Sequence, residues 1–186
     1  MSKSLFIIAC ILVIVCTIGV AASAAAAEVI GTVSNGEIVV WLEGGLPHEV
    51  PKPISVAQRG VKFDPDLAVV VVGQTVQFPN DDNIAHNVYS ASATMKLNLG
   101  VYEKGETRSV TFDKPGLVDL HCWLHKRMNA DLVVVPNRFF NQVVDGGFRI
   151  SGVPAGTYTL VAIRRDGTHA GKKITVPAKG SVAVAF

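Results

Sequence analysis

Residues 117–135 carry the sequence LVDLHCWLHKRMNADLVVV, in which two apolar runs flank a short polar segment. The flanking runs are rich in aliphatic and β-branched residues, a composition that favours strands. The segment between them places Cys122, His125 and Met128 at steps of three residues. Thiolate and thioether are soft metal ligands and imidazole suits copper as well, so this stretch predicts a metal-binding loop between two paired strands.

A second stretch, FPNDDNIAHNV at residues 78–88, places His86 at the start of another predicted strand, directly after a polar turn. A thiolate and two imidazoles in a plane, with a weak axial thioether, are the ligands of a blue-copper centre. Zinc would prefer four strong ligands in a closed tetrahedron, and methionine is a poor one. The ligand set therefore favours copper, with Met95 as an alternative axial ligand that lacks the spacing of the loop.

The rest of the chain is rich in valine, and glycine, proline, asparagine or aspartate interrupts it every few residues. It has no stretch with a clear helical period, so we expect an all-β fold of one or two sandwiches. The predicted strands span residues 29–33, 38–42, 54–58, 67–72, 75–78, 86–90, 109–112, 117–121, 130–135, 148–150, 158–163, 172–176 and 182–185.

The first 27 residues have the features of a secretory signal peptide: an early lysine, a long apolar run and small residues suited to cleavage. A retained anchor is the alternative, although the apolar run is shorter than the roughly 20 residues that span a bilayer. Cleavage would leave 16 basic and 15 acidic residues, a balance that gives no reason to expect a nucleic-acid partner. Cys122 would then be the only cysteine, either buried, paired between chains or protected by a metal.

Residues 78–88 and the stretch GETRSVTFDKPGLVDLHCWLHKRM at 105–128 resemble the two halves of the copper site in small cupredoxins, the plastocyanin and amicyanin group. This resemblance implies a Greek-key β-sandwich with one type 1 copper bound by His86, Cys122, His125 and Met128. It also implies that Asn87 hydrogen-bonds across to the ligand loop and holds it. The chain departs from the family pattern at Leu124, where proline is common.

The stretch VVDGGFRISGVPAGTYTL at residues 143–160 resembles the signature of carboxypeptidase-regulatory-like, transthyretin-like β-sandwiches, and residues 31–43 resemble the first strands of that module. This resemblance implies that the copper-binding segment is an insertion. We therefore expect a signal peptide at 1–27, the first strands of the flanking sandwich and a proline-rich linker at 28–53, a cupredoxin domain at 54–136, and the rest of the flanking sandwich at 137–186. The arrangement is similar to that of bacterial periplasmic proteins related to plastocyanin or to methylamine utilisation.

These expectations define an exported, periplasmic or secreted one-electron carrier that is not an enzyme and has no stable membrane span after cleavage. Its redox partner would approach the exposed edge of His125, where Lys126 and Arg127 could guide an acidic protein. The alternatives are a copper delivery or storage protein and an interaction module with a structural metal. We expect His121 to project away from the site, and Asp81 and Asp82 to form a solvated turn.

Trp123, beside the predicted ligand Cys122, could shape the approach of a partner, although packing in the core or at the rim is the more common use of such a residue. His48 lies in the proline-rich linker and His169 stands beside a glycine turn. Both histidines are expected to be solvated.

Overall fold

A computed structural model describes residues 26–34 and 36–186, and most of the predicted signal peptide lies outside these residues. The described residues form strands and no helix, which confirms the all-β prediction. No helix within these two ranges is long and apolar enough to span a membrane. The strands are β1 (Ala27–Thr32), β2 (Glu37–Glu43), β3 (Ile54–Ser55), β4 (Ala57–Gln58), β5 (Phe63–Asp64), β6 (Leu67–Val71), β7 (Gln74–Pro79), β8 (His86–Ala91), β9 (Lys96–Tyr102), β10 (Thr107–Phe112), β11 (Gly116–His121), β12 (Asn129–Val135), β13 (Phe140–Gln142), β14 (Gly147–Val153), β15 (Gly156–Arg164), β16 (His169–Val176) and β17 (Ser181–Ala185).

Every strand predicted from the sequence has a counterpart in the structure, although the stretch at 54–58 is divided into β3 and β4. The strands β5, β9 and β13 were not predicted. The sequence of β9, KLNLGVY, contains lysine, asparagine and glycine, which are depleted in strands. Its pairing with β8, which is interrupted by one irregularity between Asn87 and Tyr89, supplies the hydrogen bonds that its own composition does not suggest.

Residues 54–135 contribute three sheets, in the orders β10-β7-β3, β6-β12-β11-β8-β9 and β4-β5. Alternate residues of the five-stranded sheet point inward, as the two-residue period of a strand requires. On β11, for example, Val118 and Leu120 are fully buried in a core that also contains Phe78 and Leu132. The same core contains Cys122 and Met128, so the metal-binding loop is continuous with the packed interior.

The segments on either side of residues 54–135 combine into two further sheets, in the orders β14-β1-β17 and β13-β2-β15-β16. Strands from the N-terminal segment thus lie between strands from the C-terminal segment. Their core is separate and includes Val29, Leu42, Phe148 and Leu160. This pairing supports our proposal that residues 28–53 and 137–186 form one sandwich into which the cupredoxin segment is inserted; the likeness of that sandwich to transthyretin stays a prediction.

A third core joins the two halves of the molecule. The outward residues Leu117, Val133 and Val135 of the five-stranded sheet pack with Trp41 and Val161 of the flanking sheet, and all five are buried. Between β12 and β13 the chain passes from the five-stranded sheet back to the flanking sheets. There the buried side chain of Asn137 donates to the carbonyl of Leu42 at 2.9 Å and accepts from the N–H of Phe139 at 2.9 Å. The two halves therefore share apolar surface and do not meet through a linker alone.

Candidate metal centre

The loop between β11 and β12 is held at both of its ends. The last residues of the ladder, His121 and Asn129, pair directly, and the N–H of Cys122 donates to the carbonyl of Met128 at 3.1 Å. Within the loop the N–H of Met128 donates to the carbonyl of His125 at 2.8 Å. The backbone of all three predicted ligands is thus fixed by a network of hydrogen bonds that starts in the sheet.

His86 is the first residue of β8, as predicted, and β8 lies beside β11 in the same sheet. Its imidazole is fully buried, and its Nδ1 lies 3.1 Å from the Nδ1 of His125. The Nδ1 of His125 lies 3.7 Å from the Sγ of Cys122. The potential ligand atoms of these three residues are all within 4.8 Å of one another.

These separations fit a single metal ion. Imidazole nitrogens at about 2.0 Å and a thiolate at about 2.3 Å from one metal, in a trigonal plane, give a nitrogen–nitrogen distance of about 3.5 Å and a nitrogen–sulfur distance of about 3.7 Å. The observed nitrogen–sulfur distance of 3.7 Å agrees with this value, and the observed nitrogen–nitrogen distance of 3.1 Å is shorter than the trigonal value by about 0.4 Å. The side chains therefore stand in an arrangement that could receive a metal without a large rearrangement of the backbone.

The two candidate axial methionines occupy different places. Met128 is 1% exposed and lies in the same core as Cys122. Met95 lies in the turn between β8 and β9, at the end of that hairpin opposite His86. Since β8 rises about 3.4 Å per residue, the length of the strand separates Met95 from His86. The fold therefore favours Met128 and argues against Met95.

Asp82 contacts His86, so the expectation of a solvated turn at Asp81 and Asp82 is wrong for Asp82. Its Oδ2 lies 2.8 Å from the Nε2 of His86, and its side chain is 16% exposed. Burial alone would raise the pKa of Asp82, but hydrogen bonds from the N–H groups of Val61 and Gly60 and from His86 bring it below its usual value. The carboxylate is therefore charged at neutral pH.

Asn87 holds the site differently from the way the resemblance implied. Its backbone N–H points to the Sγ of Cys122 at 3.4 Å, whereas its side-chain amide donates to Asn98 Oδ1 at 2.9 Å and to the Gly100 carbonyl at 3.1 Å. Both of those acceptors belong to β9, a strand that the sequence did not reveal. The Asn87 side chain thus fastens β8 to the sheet edge, and its backbone makes the contact with the ligand loop.

His121 lies on the outer face of the sheet, as expected from strand alternation. It is not among the residues whose potential ligand atoms cluster, and its Nε2 pairs with Asp119 Oδ2 at 2.7 Å. The ring of Tyr89 contacts the rings of both His121 and Trp123, with ring centroids 5.5 Å and 5.7 Å away and interplanar angles of 35° and 31°. Trp123 is 52% exposed, so its packing is at the rim and not in the core.

The surface around the loop combines apolar and basic side chains. Leu124 and Ile84 are exposed, and so are Lys126 and Arg127, while His125 is partly exposed. Of the remaining histidines, His48 is exposed and contacts the Pro136 carbonyl, and His169 is exposed at the start of β16. Partial exposure distinguishes His125 from His86, which is fully buried.

Comparison with known proteins agrees with this geometry. Residues 50–135 match the model of a family described as copper binding proteins of the plastocyanin/azurin family. This segment is a cupredoxin. Cupredoxins are electron carriers and not enzymes, and one copper is the cofactor of this domain. The protein is thus a copper-binding electron-transfer protein.

Among solved structures, the chain is similar to the Cu(I) form of a methionine-to-alanine mutant of amicyanin, with 28% identity, a TM-score of 0.42, and coverage of 44% of this chain and 81% of that one. It is also similar to the reduced form of a tryptophan-to-tyrosine mutant of amicyanin, with 25% identity, a TM-score of 0.43, and coverage of 52% and 98%. No curated protein matches the chain.

Proposed function

We propose that this protein is an exported type 1 blue-copper protein that carries single electrons between redox partners, with His86, Cys122, His125 and Met128 as the copper ligands. One observation carries the proposal. The buried side chains of His86 and Cys122 and the partly exposed side chain of His125 bring one potential ligand atom each to within 4.8 Å of one another, and two backbone hydrogen bonds within the loop hold its residues in place.

The ligand types explain why such a site would transfer electrons. Copper bound there would supply a Cu(II)/Cu(I) couple, since thiolate and thioether favour the reduced ion while imidazole also suits the oxidised one. The chain contributes rigidity. Cys122 and Met128 are 2% and 1% exposed in a packed core, so water is excluded and the side chains have little freedom to rearrange when the charge changes.

Burial also favours a carrier over a delivery protein. A protein that transfers its metal to an acceptor must let the acceptor's ligands reach the ion, and here both His86 and Cys122 are almost completely enclosed. An electron needs no such access, because it can pass through the partly exposed imidazole of His125.

The surface suggests how a partner would dock. The exposed apolar side chains of Leu124, Trp123 and Ile84 would form a contact area near His125. The exposed cations Lys126 and Arg127 would attract a partner that carries carboxylates, mainly by increasing the association rate. We place the protein in the periplasm or outside the cell, which the leader-like first 27 residues support.

Copper loading of the purified protein tests this function. The Cu(II) form should show an intense visible band from charge transfer between cysteinate and copper, together with a narrow copper hyperfine splitting in electron paramagnetic resonance. Cys122→Ala should abolish the band, whereas Met95→Leu, a matched change outside the site, should leave it intact. A colourless Cu(II) form, or a band that survives Cys122→Ala, would refute the type 1 assignment.

Electron self-exchange and copper transfer separate carrier from delivery protein. Rapid self-exchange between the oxidised and reduced forms would support the carrier. Rapid loss of copper to an apo acceptor, with slow self-exchange, would instead support delivery.

A further inference from the structure

The carboxylate of Asp82 connects the buried imidazole of His86 to a distant turn of the chain. Its Oδ2 lies 2.8 Å from the Nε2 of His86, the ring nitrogen remote from Cys122 and His125. The same oxygen accepts the N–H of Val61 at 2.8 Å, and Oδ1 accepts the N–H of Gly60 at 2.7 Å. Both oxygens of the carboxylate therefore take part in hydrogen bonds.

The turn between β4 and β5 has an unusual backbone that makes these two contacts possible. Gly60 and Val61 have φ values of +65° and +59°, and successive residues in such conformations can direct adjacent N–H groups toward one anion. For a β-branched residue such as Val61 a positive φ is strained, and strain of this kind persists only where the surroundings impose it. The Val61 side chain is 39% exposed, so its packing does not account for the conformation, whereas the bond to Asp82 does.

We propose that Asp82 is a positioning residue for His86: it keeps the ring proton on Nε2, directs the bare Nδ1 to the copper, and with its negative charge lowers the reduction potential. This inference rests on the proposed copper site. A histidine that binds metal through one ring nitrogen commonly donates from the other to a carboxylate, which fixes the tautomer and increases the basicity of the ligand. A negative charge beside the ligand stabilises Cu(II) more than Cu(I), since Cu(II) carries the larger positive charge.

The neighbouring aspartate provides a matched control. Asp81 precedes Asp82 in the chain and carries the same charge, but its carboxylate pairs with the guanidinium of Arg59 at 2.9 Å. Its side chain is 41% exposed, compared with 16% for Asp82. A general effect of removing one negative charge should therefore be seen at both positions, whereas an effect through His86 should be confined to Asp82.

Three variants of the copper-loaded, full-length protein separate charge from hydrogen bonding. Asp82→Asn removes the charge and leaves an oxygen that can accept the Nε2 proton. Asp82→Ala removes both, and Asp81→Asn is the control. In equilibrium with a redox mediator, Asp82→Asn should shift the Cu(I)/Cu(II) ratio toward Cu(I) by about tenfold, as expected for one charge acting across an imidazole ring. Asp81→Asn should shift it by less than about twofold, because solvent screens an exposed charge.

The proton of His86 gives a second readout that does not depend on the potential. In the diamagnetic Cu(I) form, its Nε2 proton should exchange slowly and give a resolved nuclear magnetic resonance signal in the wild type and in Asp82→Asn. Asp82→Ala should lose that signal or accelerate its exchange with water.

Equal shifts of the ratio in Asp82→Asn and Asp81→Asn, or a slowly exchanging Nε2 proton in Asp82→Ala, would overturn the inference. Both outcomes can be interpreted only if the wild type has the type 1 spectrum. Failure of the proposed function, seen as a wild type without that spectrum, is thus distinct from failure of the role of Asp82.

Discussion

The shared core between the two halves of the molecule predicts that they unfold together. Val133 of β12 is fully buried in this core, beside Trp41 and Val161 of the flanking sheet. Val133→Ala removes two carbon atoms, about 1.6 kcal/mol of transfer free energy, and leaves a cavity that costs roughly 1 kcal/mol more. A loss of about 2.5 kcal/mol corresponds to a decrease of roughly 5–10 °C in Tm for a protein of this size.

Two spectroscopic signals report on the two halves during thermal unfolding. In a Trp123→Phe background, the buried Trp41 is the only remaining tryptophan, and its fluorescence follows the flanking sheet. The visible copper band reports the unfolding of the cupredoxin. Both midpoints should coincide in the parent, and Val133→Ala should lower both by the same amount.

The control is Val144→Ala, at a valine that is 68% exposed, which should change the free energy of unfolding by no more than about 0.5 kcal/mol. Separate midpoints for fluorescence and colour, or a Val133→Ala variant that lowers only the copper transition, would refute the reasoning. The two sandwiches would then be independent domains in contact.

Three further predictions concern single residues. Met128→Leu should keep the visible band and raise the reduction potential, since the axial sulfur is a weak ligand that tunes the couple. Voltammetry measures the potential, and an unchanged value would argue against axial ligation by Met128. Burial raises the pKa of Tyr102 to about 12, so the folded protein keeps a proton that the unfolded chain loses near pH 10. Stability should therefore fall from about pH 10 to 12, and Tyr102→Phe should reduce that fall in denaturant titrations. Val61→Gly should relieve the positive φ and increase the free energy of unfolding by about 1 kcal/mol, and a decrease in the same titration would contradict it.

Much of the fold follows from local sequence signals. The runs that form β11 and β12 have aliphatic residues on both faces. The structure buries both faces, one in the cupredoxin core and one in the core shared by the two halves of the molecule. Glycine and proline turns separate most strands where expected. The ligand loop could also be predicted from the sequence, because its three residues are close in sequence and the ladder between the flanking strands fixes their separation.

Other features depend on contacts between distant residues and leave no local signal. The side chain of Asn87 bonds to β9, a strand whose lysine, asparagine and glycine do not suggest extended structure. The role of Asp82 depends on a turn that lies 21 and 22 residues earlier. A two-aspartate turn is ordinarily solvated, and the contacts of Asp82 with His86, Gly60 and Val61 show the difference.

The placement of the flanking sandwich has a consequence for electron transfer. It covers the outer face of the five-stranded sheet at Leu117 and Val133, near one end of β11. Cys122 follows the other end of that strand, and on the same outer face Tyr89 stacks with Trp123. A strand of six residues spans about 20 Å, so the flanking sandwich packs on the cupredoxin without covering the ligand loop. It can therefore stabilise the copper domain, or bind another structure, while the edge of the site stays open to a redox partner.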